Sequence, residues 1–77
     1  MSKDAIQVLK AEYNQYLMRE VKAEIYLDDE AIPVIEREKH MPAFQAIVKR
    51  LNEILYEFIQ MGAKYTVKEV TGGFAIE

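Results

Sequence analysis

The one histidine of this chain lies in a charged segment where side chains of metal-ligating type are close together. If that segment were helical, Glu36 and His40 would share a face with Glu38 nearby, and a carboxylate and an imidazole can together hold a divalent ion such as zinc. A structural or catalytic site needs more protein ligands than this stretch supplies. The sequence therefore predicts a solvated, charged connector here, with no metal site and no cofactor.

Side chains suited to nucleophilic catalysis are almost absent. The 77 residues include no cysteine, one serine next to the start methionine, and one histidine. An activated nucleophile needs a base and a third group that orients the base, which this set cannot supply. Glu20 and Glu24 form a pair of carboxylates, but they are unusual only if the first helix continues past them. We predict no catalytic residues and no enzyme activity.

The composition argues against nucleic acid and membrane as partners, and it suggests a cellular compartment. Hydrophobic residues make up 51% of the chain and charged residues 30%, which is typical of one globular domain over residues 1–77. The net charge is −3, and the basic pair Lys49–Arg50 is surrounded by acids, which argues against nucleic-acid binding. No apolar run reaches the ~18 residues of a membrane span. The absence of cysteine suits a reducing compartment, so we expect a cytoplasmic protein.

The strongest element signal runs from Pro42 to Gly62. Its apolar residues repeat in heptad register, which predicts an amphipathic helix with a wide buried stripe. Pro42 would be the first helical residue, where its missing N–H costs nothing, and Gly62 would form a left-handed cap. The predicted stripe consists of Phe44, Ile47, Val48, Leu51, Ile54, Leu55, Phe58 and Met61.

The first third of the chain allows two interpretations. A helix begins at Ser2, and either ends near Arg19 or continues to Leu27. Apolar and polar residues alternate over Val21–Leu27, which favours a strand that turns at 28–30 and returns as a second strand over Ala31–Glu36. The competing short helix over 30–40 would place Pro33 uncomfortably far inside it.

The last segment has the composition of a second hairpin. Lys64–Val70 is predicted as a strand, Thr71-Gly72-Gly73 as a tight turn and Phe74–Glu77 as the final strand. The predicted fold is therefore α+β in the order α-β-β-α-β-β, with a central amphipathic helix packed on a small antiparallel sheet.

Some apolar and aromatic side chains are not required for the predicted core, which suggests that they take part in binding. Five tyrosines are present, and tyrosine is enriched at protein interfaces. We expect a non-catalytic protein-interaction module, a small accessory or inhibitory protein that self-associates as a homodimer and can contact another protein. The alternative is a protein that binds or sequesters a small molecule in a pocket at a subunit interface. The predicted interface residues are Tyr56, Ile59, Phe74 and Ile76, and the predicted ligand-binding residues are Tyr26, Arg37 and His40.

Overall fold

The computed structural model describes residues 2–76, which form three helices: α1 (Ser2–Leu27), α2 (Val34–Gln60) and the short α3 (Val67–Gly72). A turn over residues 28–33 reverses the chain, so α1 and α2 lie side by side as an antiparallel hairpin. The molecule is elongated, with extents of 47 × 19 × 17 Å. Charged residues interrupt both long helices of this described part so often that neither could span a bilayer.

The predicted α+β fold is wrong, because residues 2–76 contain no strand. Val21–Leu27 continues α1 without a break. Its alternation of apolar and polar residues also satisfies a helix, since Val21 and Ile25 are one helical turn apart and lie on the same face. Alanine, lysine, glutamate and leucine, which favour helices, make up most of this segment.

The predicted return strand over Ala31–Glu36 is also wrong. Pro33 is the residue that precedes α2, with φ −55° and ψ 142°, and its fixed φ starts the helix instead of interrupting it. Pro42 lies inside α2 and does not begin it. Arg37 stabilises the turn by donating hydrogen bonds to the backbone carbonyls of Ile32 (3.0 Å) and Leu27 (3.1 Å), the last residue of α1.

The predicted glycine cap of the central helix is confirmed. Gly62 has a φ of +76°, and the backbone N–H groups of Gly62 and Ala63 donate to the carbonyls of Ile59 and Phe58. This is the paired bonding of a Schellman motif.

The predicted strand over Lys64–Val70 is replaced by a loop and α3. Thr66 and Glu69 form a capping box: the Glu69 N–H donates to the Thr66 hydroxyl (3.2 Å), and the Thr66 N–H donates to the Glu69 carboxylate (2.9 Å). The pattern Thr-x-x-Glu is a sequence signature of a helix start, and it outweighs the strand composition of this segment.

The predicted final strand over Phe74–Glu77 is not formed within residues 74–76, and Glu77 lies outside the described residues. The tail, residues 73–76, forms hydrogen bonds with a side chain and not with a strand. The Asn14 side chain accepts a hydrogen bond from the Phe74 N–H (2.7 Å) and donates one to the Phe74 carbonyl (2.8 Å). Gly73 makes this approach possible, because its φ is +96° and a Cβ there would lie 3.1 Å from Oδ1 of Asn14.

The core lies at the end of the hairpin that carries the tail. Its five buried residues are contributed by α1, α2 and the tail. The Tyr13 hydroxyl donates to the Val70 carbonyl at 2.7 Å, so the one polar group of this core is satisfied. The buried residues are Tyr13, Leu51, Ile54, Phe58 and Phe74.

Asn14→Ala should release the tail from α1, because it removes both hydrogen bonds to Phe74 and leaves the Phe74 backbone partly unpaired. We expect a loss of about 1–3 kcal/mol in the free energy of unfolding. Urea titration measures the loss, and hydrogen exchange at the Phe74 amide reports the release directly. The exposed neighbour Gln15 provides the control, because Gln15→Ala should change neither quantity. A protected Phe74 amide in the Asn14→Ala variant would contradict the prediction.

Candidate interaction surfaces

Most of the hairpin has no core of its own. No described residue from 14 to 50 is buried, and we call this part the distal half. It still carries apolar side chains on both helices, such as Val21 and Ile25 on α1 and Met41 on α2, which are 45%, 67% and 37% exposed. A two-helix hairpin of this length without buried residues leaves apolar surface in water, which is unfavourable for a chain this small.

One groove lies between α1 and α2 where the distal half meets the buried core, and it reaches α3. We call it the Glu20 groove; its volume is about 340 Å³. The groove is mainly apolar, and the two carboxylates on its α1 wall are the exception. Its defining residues are Glu20, Val21, Glu24, Val48, Leu55 and Val70.

The Glu20 carboxylate is in an unfavourable setting. Burial raises the pKa of Glu20, and a hydrogen bond with Glu24 and the charge of Glu24 raise it further. None of the described residues that line the groove is a lysine or an arginine. Because this pKa is higher in the folded chain than in the unfolded chain, ionisation of Glu20 opposes folding, and stability falls as the pH rises through it.

A second groove lies on the other side of the seam between α1 and α2. We call it the Tyr26 groove; its volume is about 270 Å³, and it shares no residue with the Glu20 groove. No carboxylate lines it, and Lys22 and His40 are the cationic or titratable groups among its described residues. Its defining residues are Ala23, Tyr26, His40, Ala43, Phe44 and Ile47.

The residues predicted to bind a ligand are only partly brought together. The rings of Tyr26 and His40 meet edge to face, with their centroids 4.7 Å apart. The Arg37 side chain donates to two backbone carbonyls of the turn, and Arg37 does not line the Tyr26 groove. This leaves an aromatic wall without the strong anion-binding group that the sequence-based hypothesis includes.

The residues predicted to form the interface lie in different environments. Phe74 is 5% exposed and packs against Tyr13 and Phe58 in the core, with ring centroids 5.2 and 5.1 Å apart, so it is not at the surface. Ile76 is half exposed on the tail. Tyr56 and Ile59 are 62% and 57% exposed on α2, and the structure leaves both available to a partner.

Replacing Tyr56 and Ile59 together by serine should keep the helix content of the protein, because neither residue belongs to the core. The sequence-based prediction is that self-association weakens. Circular dichroism measures the helix content, and sedimentation equilibrium measures the association. Loss of helix would show that both residues support the fold, and unchanged association would confine the interface to the distal half.

The candidate metal ligands do not form a site. Within the described residues no group of three or more histidine, aspartate and glutamate side chains is arranged to hold an ion. Glu36 instead forms an exposed ion pair with Lys39 at 3.5 Å, and His40 lies against Tyr26.

The Glu20 groove is the feature that sequence reasoning missed, although its signal was present. Glu20 and Glu24 fall in the middle of the apolar stripe of a first helix that continues to Leu27. Once α1 is known to be continuous, the two acids are placed in an apolar surface. The wrong strand prediction therefore concealed the groove.

Comparison of the chain with protein-family models, with curated proteins and with solved structures finds no match.

Proposed function

We propose that this protein is a non-catalytic protein-interaction module that self-associates through its distal half. The observation that carries the proposal is the absence of any buried residue among the described positions 14–50, in helices that carry apolar side chains on both sides of their seam. Two hairpins that overlap by their distal halves would form an antiparallel four-helix bundle, the usual way for such helices to bury a wide apolar surface.

The Tyr26 groove is the face best suited to a second copy. In a two-fold dimer each residue near the axis meets its own counterpart, so a self-associating face should lack concentrated like charge. No carboxylate lines this groove, and its alanines at 23 and 43 allow the two backbones to approach closely. Burial of side chains such as Tyr26 and Phe44 contributes roughly 1.5–3 kcal/mol each when complete. Each copy would thus obtain the distal core that the single chain lacks.

Sedimentation equilibrium over a wide range of protein concentration tests the proposal. The expected result is a mass of two chains, with a melting temperature that rises with protein concentration because only the dimer buries the distal half. A mass of one chain that does not change with concentration, together with a constant melting temperature, would overturn it. We place the module in the cytoplasm, in keeping with a sequence that contains no cysteine.

The small-ligand alternative would use the same groove. Its support is the contact between Tyr26 and His40, which together offer a ring surface and a titratable nitrogen. The engagement of Arg37 in the turn removes the charged group of that site, so the interaction module is the better-supported proposal.

A further inference from the structure

The Glu20 groove continues a surface that the chain itself covers with a helix. Val70 and Thr71 of α3 line one end of the groove, and the tail beyond them packs on Tyr13 and Asn14. Beyond Val70 and Thr71, no described residue of α3 or of the tail lines this groove. The fold therefore shows that this side of the hairpin accepts a helix and leaves the rest of it open.

The groove as a whole has the spacing of a helix-binding wall. Val48 and Leu55 lie seven residues apart on α2, Leu55 at the end next to the core, and Val21 lines the groove from α1. Side chains seven residues apart on one face repeat after two helical turns, so a helix lying along α2 can place two of its own apolar turns against them.

The charges in the groove select the chemistry of that helix. No lysine or arginine among the described residues lines the groove beside Glu20 and Glu24, and Arg50 of α2 is bonded to Glu12 and lies near Glu53 and Glu57. We infer that the Glu20 groove binds an amphipathic helix of another protein, in which a lysine or arginine is flanked by apolar residues at one-turn spacing. This inference rests on the proposed function as an interaction module, but not on self-association.

A second copy of the chain is a poor occupant of this groove. Two copies joined through the same face would bring both pairs of carboxylates into one apolar interface, where like charges repel and weaken the association. A cationic side chain from a different protein would form charge-assisted hydrogen bonds with the carboxylates in a partly dry site. The two grooves thus differ in partner: the Tyr26 groove suits a copy, and the Glu20 groove suits a basic helix.

Selection from a phage-displayed library of helical peptides tests the inference. The library randomises one face of a stable helix, and the full chain is the target. We expect the enriched peptides to carry Lys or Arg flanked by Leu, Ile or Met three and four positions away. The double variant E20Q/E24Q, which keeps the size of both side chains, should bind the selected peptides at least about tenfold more weakly. Leu55→Glu should abolish binding, and Ala46→Glu on the outer face of α2 should leave it unchanged.

Three results would overturn the inference: no enrichment, enrichment of helices without a cation, or equal affinity for the wild-type chain and the E20Q/E24Q variant. A second copy of the chain would be the occupant if two results were found together. The wild-type chain would compete with the peptides for the Glu20 groove, and the E20Q/E24Q protein would differ from wild type in its sedimentation mass. The inference would then be wrong. If the chain is monomeric and still selects basic helices, self-association is contradicted and the inference that the Glu20 groove binds a basic helix is supported. The two proposals therefore fail separately.

Discussion

Ala43→Glu should convert the proposed dimer into a monomer while leaving its helices intact. Ala43 is exposed in the single chain and lines the Tyr26 groove, so a longer side chain has room there. In a two-fold dimer the new carboxylate would lie near its counterpart inside an apolar contact. Like charges in such a position cost several kcal/mol, which corresponds to a weakening of association of roughly 100-fold or more.

Sedimentation equilibrium and far-UV circular dichroism on the same samples separate the two effects. Ala46→Glu is the matched control, because it makes the same change on the same helix at an exposed position outside both grooves. Its mass should remain that of two chains. Equal masses for the two variants would show that the Tyr26 groove is not the self-association face.

The helices could be predicted where the apolar residues follow a single helical repeat. The stripe of α2 is confirmed at its centre, since Leu51, Ile54 and Phe58 are buried, and Gly62 ends the helix as expected. The ends of the stripe differ because burial depends on neighbours and not on period alone. Phe44 lies where α1 and α2 have no third layer over them, so it is only half buried.

The strands were mispredicted because short segments satisfy two patterns at once. Seven residues that alternate from Val21 to Leu27 also place pairs one helical turn apart, and only the contact of this segment with α2 decides between the two. At the tail, Phe74 has strand-like backbone bonding, but its partner is the Asn14 side chain. A partnership across 60 residues leaves no mark in local composition.

The candidate surfaces could be predicted only in part. Each groove is formed between two helices, and predicting it requires knowing how those helices pack. Tyr26 and His40 were predicted as members of one set, and their rings meet because α1 and α2 are antiparallel. The hydrogen bonds of Arg37 to the turn could not be predicted, since they depend on where α1 ends. Glu20 stood out as an acid in an apolar stripe, and only the continuation of α1 gives that observation its meaning.

Phe58→Ala should unfold the protein at room temperature. Phe58 is 1% exposed and joins the three parts of the core, with ring centroids 5.1 Å from Phe74 and 6.5 Å from Tyr65. Truncating a buried phenylalanine costs about 3–5 kcal/mol, and whole domains have only about 5–15 kcal/mol, the smallest having least. Loss of the far-UV helical signal and of a cooperative thermal transition is the expected result.

Phe44→Ala should have a different effect on stability from Phe58→Ala. The comparison distinguishes the core of the single chain from the core of the proposed dimer. Phe44 is half buried in one chain and lies in the Tyr26 groove, where the proposed second copy would complete its burial. We expect Phe44→Ala to keep its helices and to lose stability mainly at high protein concentration, where the proposed dimer would form. A Phe58→Ala variant that melts cooperatively within a few degrees of wild type would show that the buried cluster does not hold the hairpin together. A cost at Phe44 that does not vary with concentration would place its burial within a single chain.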